Sequence, residues 1–186
     1  LAVAISTAFI VITLIVMTAM TSGLTSSVYS QYRGGTIVVS QNDDAPEGAI
    51  ENAEKTLSAT SGVTAVKHMA QWPADAQTDA TRAGLYVSPL APKPFADLDL
   101  SAGTAPTAND QIAIPEHTAL TLSLKVGDTV RVRAGFTEGD YRTLTVVGTT
   151  RSNTISMGVP ASYVTDGGFS AIFGTTASGK FIVATS

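Results

Sequence analysis

The chain has 186 residues, 44% of them apolar and 14% charged, with 11 basic and 15 acidic residues, 16 Gly, 8 Pro and no Cys. That length suits one medium domain with a real core, and a net charge of −4 with scattered basic residues excludes a nucleic-acid surface, which needs clustered Lys and Arg to displace counterions. Zero Cys excludes a disulfide framework, a thiolate zinc site, a Cys nucleophile and a lipid-bearing Cys, while leaving the compartment open.

The first 32 residues carry no charge and no His. Leu1 to Met20, LAVAISTAFIVITLIVMTAM, is the length of a bilayer span, since twenty helical residues cover about 30 Å. Ser6, Thr7, Thr13 and Thr18 are tolerated there because each hydroxyl bonds back to a carbonyl one turn earlier. A transmembrane helix is therefore expected. A cleaved signal peptide has a basic n-region and a shorter apolar core, a pilin-type stem carries an early Glu, and a buried helix of this uniform apolarity is rare in a soluble core. The polar segment TSGLTSSVYSQY that follows extends the helix past the lipid, with Tyr29 and Tyr32 at headgroup level or on the domain. Arg33 is the only basic residue before Lys55. Such scarcity beside a span marks the non-cytoplasmic side. The small pairs Ala2/Ser6 and Ala4/Ala8 would let another helix approach closely.

Gly34-Gly35 breaks this helix, and Thr36 to Ser40 is a β-branched strand. Asp43, Asp44, Pro46 and Glu47 announce a helix. Its inner face is Ala49, Ile50, Ala53 and Leu57, with Glu51, Glu54 and Lys55 toward water. Ser61-Gly62 ends it, and Val63 to Met69 is a strand. Trp72 to Thr81 reads as a loop or hairpin tip, Ala83 to Val87 as a strand, and the stretch Ser88 to Asp110, with four prolines, as an irregular excursion. Gln111 to Ile114 is a strand, and Pro115 opens a helix to about Leu124 with Leu120 and Leu124 on one face. Gly127-Asp128 turns into Thr129 to Arg133, and Tyr141 to Gly148 alternates again with Leu144 and Val146 on one side. The two make a hairpin around the Gly135 to Asp140 loop. The end of the chain is Gly-rich and closes on Phe181-Ile182-Val183, a strand. The class is α+β.

Little in this pattern carries chemistry. Gly174 to Lys180, GTTASGK, matches the first part of a phosphate-binding loop, but the next position is Phe181 instead of Ser or Thr, and a strand pattern follows where a helix must open. It is expected to be a hairpin loop. His68 and His117, the only histidines, show no metal-ligand spacing and read as surface or capping residues. No Gly-x-Ser-x-Gly elbow occurs. The Glu47/Glu51/Glu54 carboxylates read as a solvated face, Arg131 and Arg133 as an exposed strand face, and Trp72 as core. No residue is assigned a catalytic, cofactor-binding or metal role, no cofactor is expected, and no enzyme is predicted.

The segments DQIAIPEHTALTLSLKVGDTVRV (Asp110 to Val132) and YRTLTVVGTT (Tyr141 to Thr150) resemble the extracytoplasmic core domain of MacB-type, FtsX-like ABC transporter permeases. The sharpest matches are Leu124, Val126, Gly127 and Asp128 at the turn, and Val146, Val147 and Gly148 on the second strand. The apolar first helix and SGVTAV (Ser61 to Val66) agree with it, whereas residues 152–178 show no match. The resemblance implies a transmembrane helix and its extension over residues 1–33. A mixed-sheet extracytoplasmic domain with short helices and a β-hairpin then occupies 34–186, and further transmembrane helices lie beyond it. It also implies a cell-membrane location, a cytoplasmic ATP-binding subunit, a second permease copy in a dimer, contact with the bilayer and an extracytoplasmic protein partner. The function so implied is coupling of ATP hydrolysis to export or to mechanical signalling outside the membrane. The alternative is a sensor or adhesion module on a single anchor, and an extracellular hydrolase has only two histidines to draw on. Deleting residues 1–32 is expected to leave a soluble domain with cooperative thermal unfolding; an aggregated or unfolded product would contradict the boundary.

Overall fold

The computed structural model describes residues 37–40, 49–91, 93–95, 97–135, 139–151, 160–174 and 180–186. The expected membrane span, its extension and the Gly34-Gly35 break lie outside these. No helix among the described residues is long and apolar enough to cross a membrane.

Two sheets carry the fold. The smaller has three strands in the order β1 (Ile37–Ser40), β10 (Lys180–Thr185), β2 (Val63–His68), all antiparallel. The helix α1 (Ala49–Ser58) packs on β2, and the chain leaves it through Gly62 at φ 84°, the backbone region glycine reaches without strain.

The larger sheet runs β5 (Leu100–Gly103), β8 (Arg142–Thr150), β6 (Gln111–Pro115), β9 (Ala161–Val164), β4 (Arg82–Pro89), β3 (Trp72–Gln77), β7 (Thr129–Ala134). β7 pairs in turn with β8, so six strands close into a ring and β5 is an addition to it. The length of β8 allows this: Arg142 to Thr145 pair with β7, and Gly148 to Thr150 pair with β5. Two pairings, β4–β9 and β6–β8, are parallel. Inward residues alternate along each strand: Ala74 and Ala76, Leu85 and Val87, Ile112 and Ile114, Val130 and Val132, Leu144 and Val146, as a small barrel filled by its own side chains requires. β5 lies so close to β8 that a Cβ on Gly103 (φ 73°) would stand 2.1 Å from the Val147 carbonyl oxygen, and one on Gly148 2.4 Å from that of Thr104.

A short helix closes each end. α2 (Glu116–Leu122) follows the end of β6, and α3 (Asp166–Phe173) follows the end of β9. β6 and β9 are antiparallel, so the helices sit at opposite mouths. Ala119 and Leu122 of α2, and Phe169 of α3, enter the barrel core. The Thr165 hydroxyl caps α3 by accepting from the Gly168 N–H at 3.0 Å.

The α+β class, the strand–helix–strand beginning, the β7–β8 hairpin and the inward Leu144 and Val146 agree with the sequence reading. Four expectations are corrected. Residues 72–77 form β3, its Ala and Asp content being low in strand propensity but small enough for a narrow barrel, and only 78–81 make the tip. The proline-rich excursion contains β5. Beyond residue 159, the unassigned stretch yields β9 and α3. Leu120 does not face inward but is 78% exposed. Ser123 adopts the left-handed conformation (φ 55°) and ends α2 before Leu124, so the buried stripe is Ala119 and Leu122. Leu122→Ala is expected to cost about 2–5 kcal/mol of stability, and Leu120→Ala less than about 0.5 kcal/mol, in paired urea unfolding curves.

Candidate functional site

The residues singled out for chemistry fall at separate places. His68 ends β2 in the small sheet, whereas His117 is exposed in the first turn of α2 at the barrel mouth. The described residues hold no group of three or more His, Asp and Glu side chains fit for a metal ion. His68 is a packing residue: its ring tilts against Phe181 with centroids 4.5 Å apart, and its Nε2–H donates to Glu54 Oε2 at 2.8 Å. Glu54 is therefore not simply a solvated carboxylate, because it fastens α1 to β2. Glu47 and the side chain of Glu51 lie outside the described residues.

The GTTASGK segment is not a hairpin loop. Gly174, at φ 77°, caps α3, and Lys180 opens β10; residues 175–179 lie outside the described set. A helix ends there, where phosphate binding needs one to begin. Phe181 is 1% exposed and belongs to the small-sheet interior.

Arg131 and Arg133 point outward on β7, each matched by a carboxylate. Arg131 Nη2 donates to Asp79 Oδ1 at 3.1 Å. Arg133 donates twice to Asp75 Oδ2, at 3.2 and 3.1 Å, and its guanidinium stands 4.8 Å from the Tyr141 ring centroid. Trp72 packs against the core as expected, edge-on to Phe169 and Phe173 at 5.5 and 5.3 Å, and so seats α3 on its mouth. A groove of about 600 Å³ opens at the other mouth between the β3–β4 tip and the end of α2, lined by Gln77, Asp79, Leu122, Leu124, Arg131 and Thr143 among others. Its charged groups are engaged with one another or with backbone: Arg131 by Asp79, and Asp128 Oδ2 by the Lys125 N–H at 2.8 Å.

The most consequential arrangement is in the small sheet. β1 follows the segment 1–36 and β10 carries the last described residues, yet the two are hydrogen-bonded neighbours, Ile37 opposite Val183 and Ser40 opposite Lys180. Because they run antiparallel, the start of β1 and the end of β10 emerge at the same side of the sheet. β10 is buried on both faces. Phe181 and Val183 share the face of His68 and Val66, whereas Ile182 and Ala184 share that of Lys67 and Ala65. No sequence signal could have revealed this pairing, because strand periodicity specifies which face is buried and not which partner lies alongside.

The chain matches the family described as MacB-like periplasmic core domain over residues 1–185. Among solved structures, it is similar to the extracellular domain of the noncanonic ABC-type transporter YknZ from Gram-positive bacteria, with 20% identity, 80% of this chain and 82% of that one covered, and a TM-score of 0.57. It is also similar to the periplasmic region of MacB from Actinobacillus actinomycetemcomitans, with 15% identity, 80% and 73% covered, and a TM-score of 0.53. A search of curated proteins gave no significant match.

The β1–β10 register is open to direct measurement. With no native Cys, the double variant Ser40→Cys/Lys180→Cys is expected to form one intramolecular disulfide on mild oxidation, identified by peptide mass spectrometry. The offset pair Ser40→Cys/Ile182→Cys, two residues out of register and more than one strand spacing away, is expected to stay reduced.

Proposed function

Because the chain belongs to the family of MacB-like periplasmic core domains, we propose that it is the extracytoplasmic part of an ABC transporter permease, carried on the transmembrane helix expected over residues 1–20. In this reading the permease works as a dimer with a separate cytoplasmic ATP-binding subunit, and the domain from about residue 34 lies outside the membrane. Its work is mechanical and not enzymatic: it receives displacement from the membrane helices and delivers it outside, for export or for signalling.

The observation that carries this reading is the pairing of β1 with β10. Displacement arriving along the segment before β1, or along a segment after β10, acts on one hydrogen-bonded ladder at one side of the domain. Antiparallel ladders transmit such displacement well, since shifting their register requires several backbone hydrogen bonds to break together and moves every side chain to the wrong face. The runner-up, a single-anchor binding module, draws on the open groove and on exposed Leu120 at the opposite mouth.

Full-length protein solubilised in detergent is expected to co-purify with a nucleotide-binding ATPase subunit and to give ATP hydrolysis that a Walker-type ATPase variant abolishes. A full-length protein that crosses the membrane once and purifies without any ATPase would overturn the permease reading in favour of the binding module.

A further inference from the structure

The described residues form two hydrophobic cores that share no member. One fills the barrel and includes Ala70, Ala74 and Phe169. The other consists of Ala91, Phe95, Ile182 and Ala184, with Ala65 and Met69 packed against it. The chain passes from one core to the other between Met69, which packs in the second core and whose N–H bonds to the Lys180 carbonyl at 2.9 Å, and Ala70, which lies in the barrel core. It passes back between α3 and β10, and the stretch with Ala91 and Phe95 reaches across from the barrel. Separate cores joined by a small interface are the usual architecture of bodies that move against each other.

The contact across this boundary has two parts. The first is a knob. Ala91 and Phe95 lie between two anchors to the barrel, the Leu90 N–H to the Val164 carbonyl at 2.7 Å and the Arg151 N–H to the Asp99 carbonyl at 3.0 Å. Arg151 also pairs through its side chain with Asp99. Phe95, 3% exposed, presses on Ile182 and Ala184 of the small sheet. Such a contact is apolar and non-directional, so it tolerates rotation without losing its area. The second part is directional: Lys67, on the same face of the small sheet, pairs with Asp166 in the first turn of α3. The pair joins a Lys67 side chain 13% exposed to an Asp166 carboxylate 56% exposed, and water at the carboxylate lowers the cost of parting them.

We propose that the small sheet and the barrel are two bodies that pivot where the chain crosses between them, at Met69–Ala70 and on entry to β10 at the neighbouring Lys180, with Phe95 as the bearing and the Lys67–Asp166 ion pair as the latch that holds one orientation. The inference concerns motion within this domain and stands whether or not the domain serves a permease.

These 186 residues contain no Cys, so the test is made in the full-length protein in lipid nanodiscs with any Cys outside them replaced by Ser. Spin labels on Thr64→Cys and Ala80→Cys report across the boundary, and labels on Ala80→Cys and Ala102→Cys report within the barrel. Pulsed dipolar spectroscopy is expected to give a distance distribution about twofold broader across the boundary than within the barrel. Asp166→Asn, at an exposed position, should shift the cross-boundary distribution and leave the barrel pair unchanged. Lys67→Met, which removes the same pair from the other side, should give the same shift. Equal widths for the two label pairs, or a cross-boundary distribution that neither latch variant moves, would overturn the proposal.

Discussion

The fold depends on β10 being the middle strand of the small sheet. Among the described residues β1 and β2 do not pair with each other; each pairs only with β10. Without that strand the two have no ladder, and α1, which packs on β2 and is fastened there by Glu54 and His68, loses its support. Closing a chain of roughly 110 residues between β2 and β10 costs about 4 kcal/mol in loop entropy. Burial of Phe181, Ile182 and Val183, all at most 3% exposed, contributes about 1.5–3 kcal/mol for each side chain. Burial wins, and it does so because β10 is covered on both faces. That is why its sequence, FIVA, runs continuously apolar instead of alternating.

The barrel obeys a different constraint, that of narrowness. Six strands leave little interior space, so β3 contributes alanines while β4, β6 and β8 contribute larger aliphatics. Closure by the β7–β8 pairing removes the free edge that β7 would otherwise present. The open mouths are then the remaining exposure of apolar interior, and the two short helices cover them. Neither helix is long enough to be stable alone; α2 and α3 persist because Leu122 and Phe169 are inserted among the barrel side chains.

This division explains what was legible in the sequence. The β7–β8 hairpin showed itself because one face is core and the other water, so Val130, Arg131, Val132 and Arg133 alternate strictly. β3 was obscured because its inward positions are Ala and its second residue is Pro73. α3 was obscured by two glycines that the tertiary structure demands: a Cβ on Gly167 would stand 2.4 Å from Asn109 Oδ1, and one on Gly168 3.0 Å from the Asn109 carbonyl oxygen. Helix propensity was given up there for close approach to the loop before β6. Glu54 looked like one more surface carboxylate, since its partner His68 belongs to a different element. The neighbourhood of β1 and β10 was the least legible feature of all, because register and partner choice are properties of the assembled sheet and not of either strand.

These constraints act in series. A closed ring of hydrogen-bonded strands resists shear, since displacing one strand by a residue breaks the ladders on both of its sides at once. The small sheet resists it as well, through a central strand held by bonds on both edges and by packing on both faces. The boundary between them lacks any shared ladder among the described residues: a phenylalanine-centred apolar contact and the Lys67–Asp166 ion pair lie across it, and contacts between the elements on its two sides are sparse. A displacement of the paired β1 and β10 would therefore reach the barrel across this boundary. If the two bodies pivot as proposed, the Lys67–Asp166 pair and Phe95 set how the far mouth, with α2 and its groove, is oriented relative to β1 and β10.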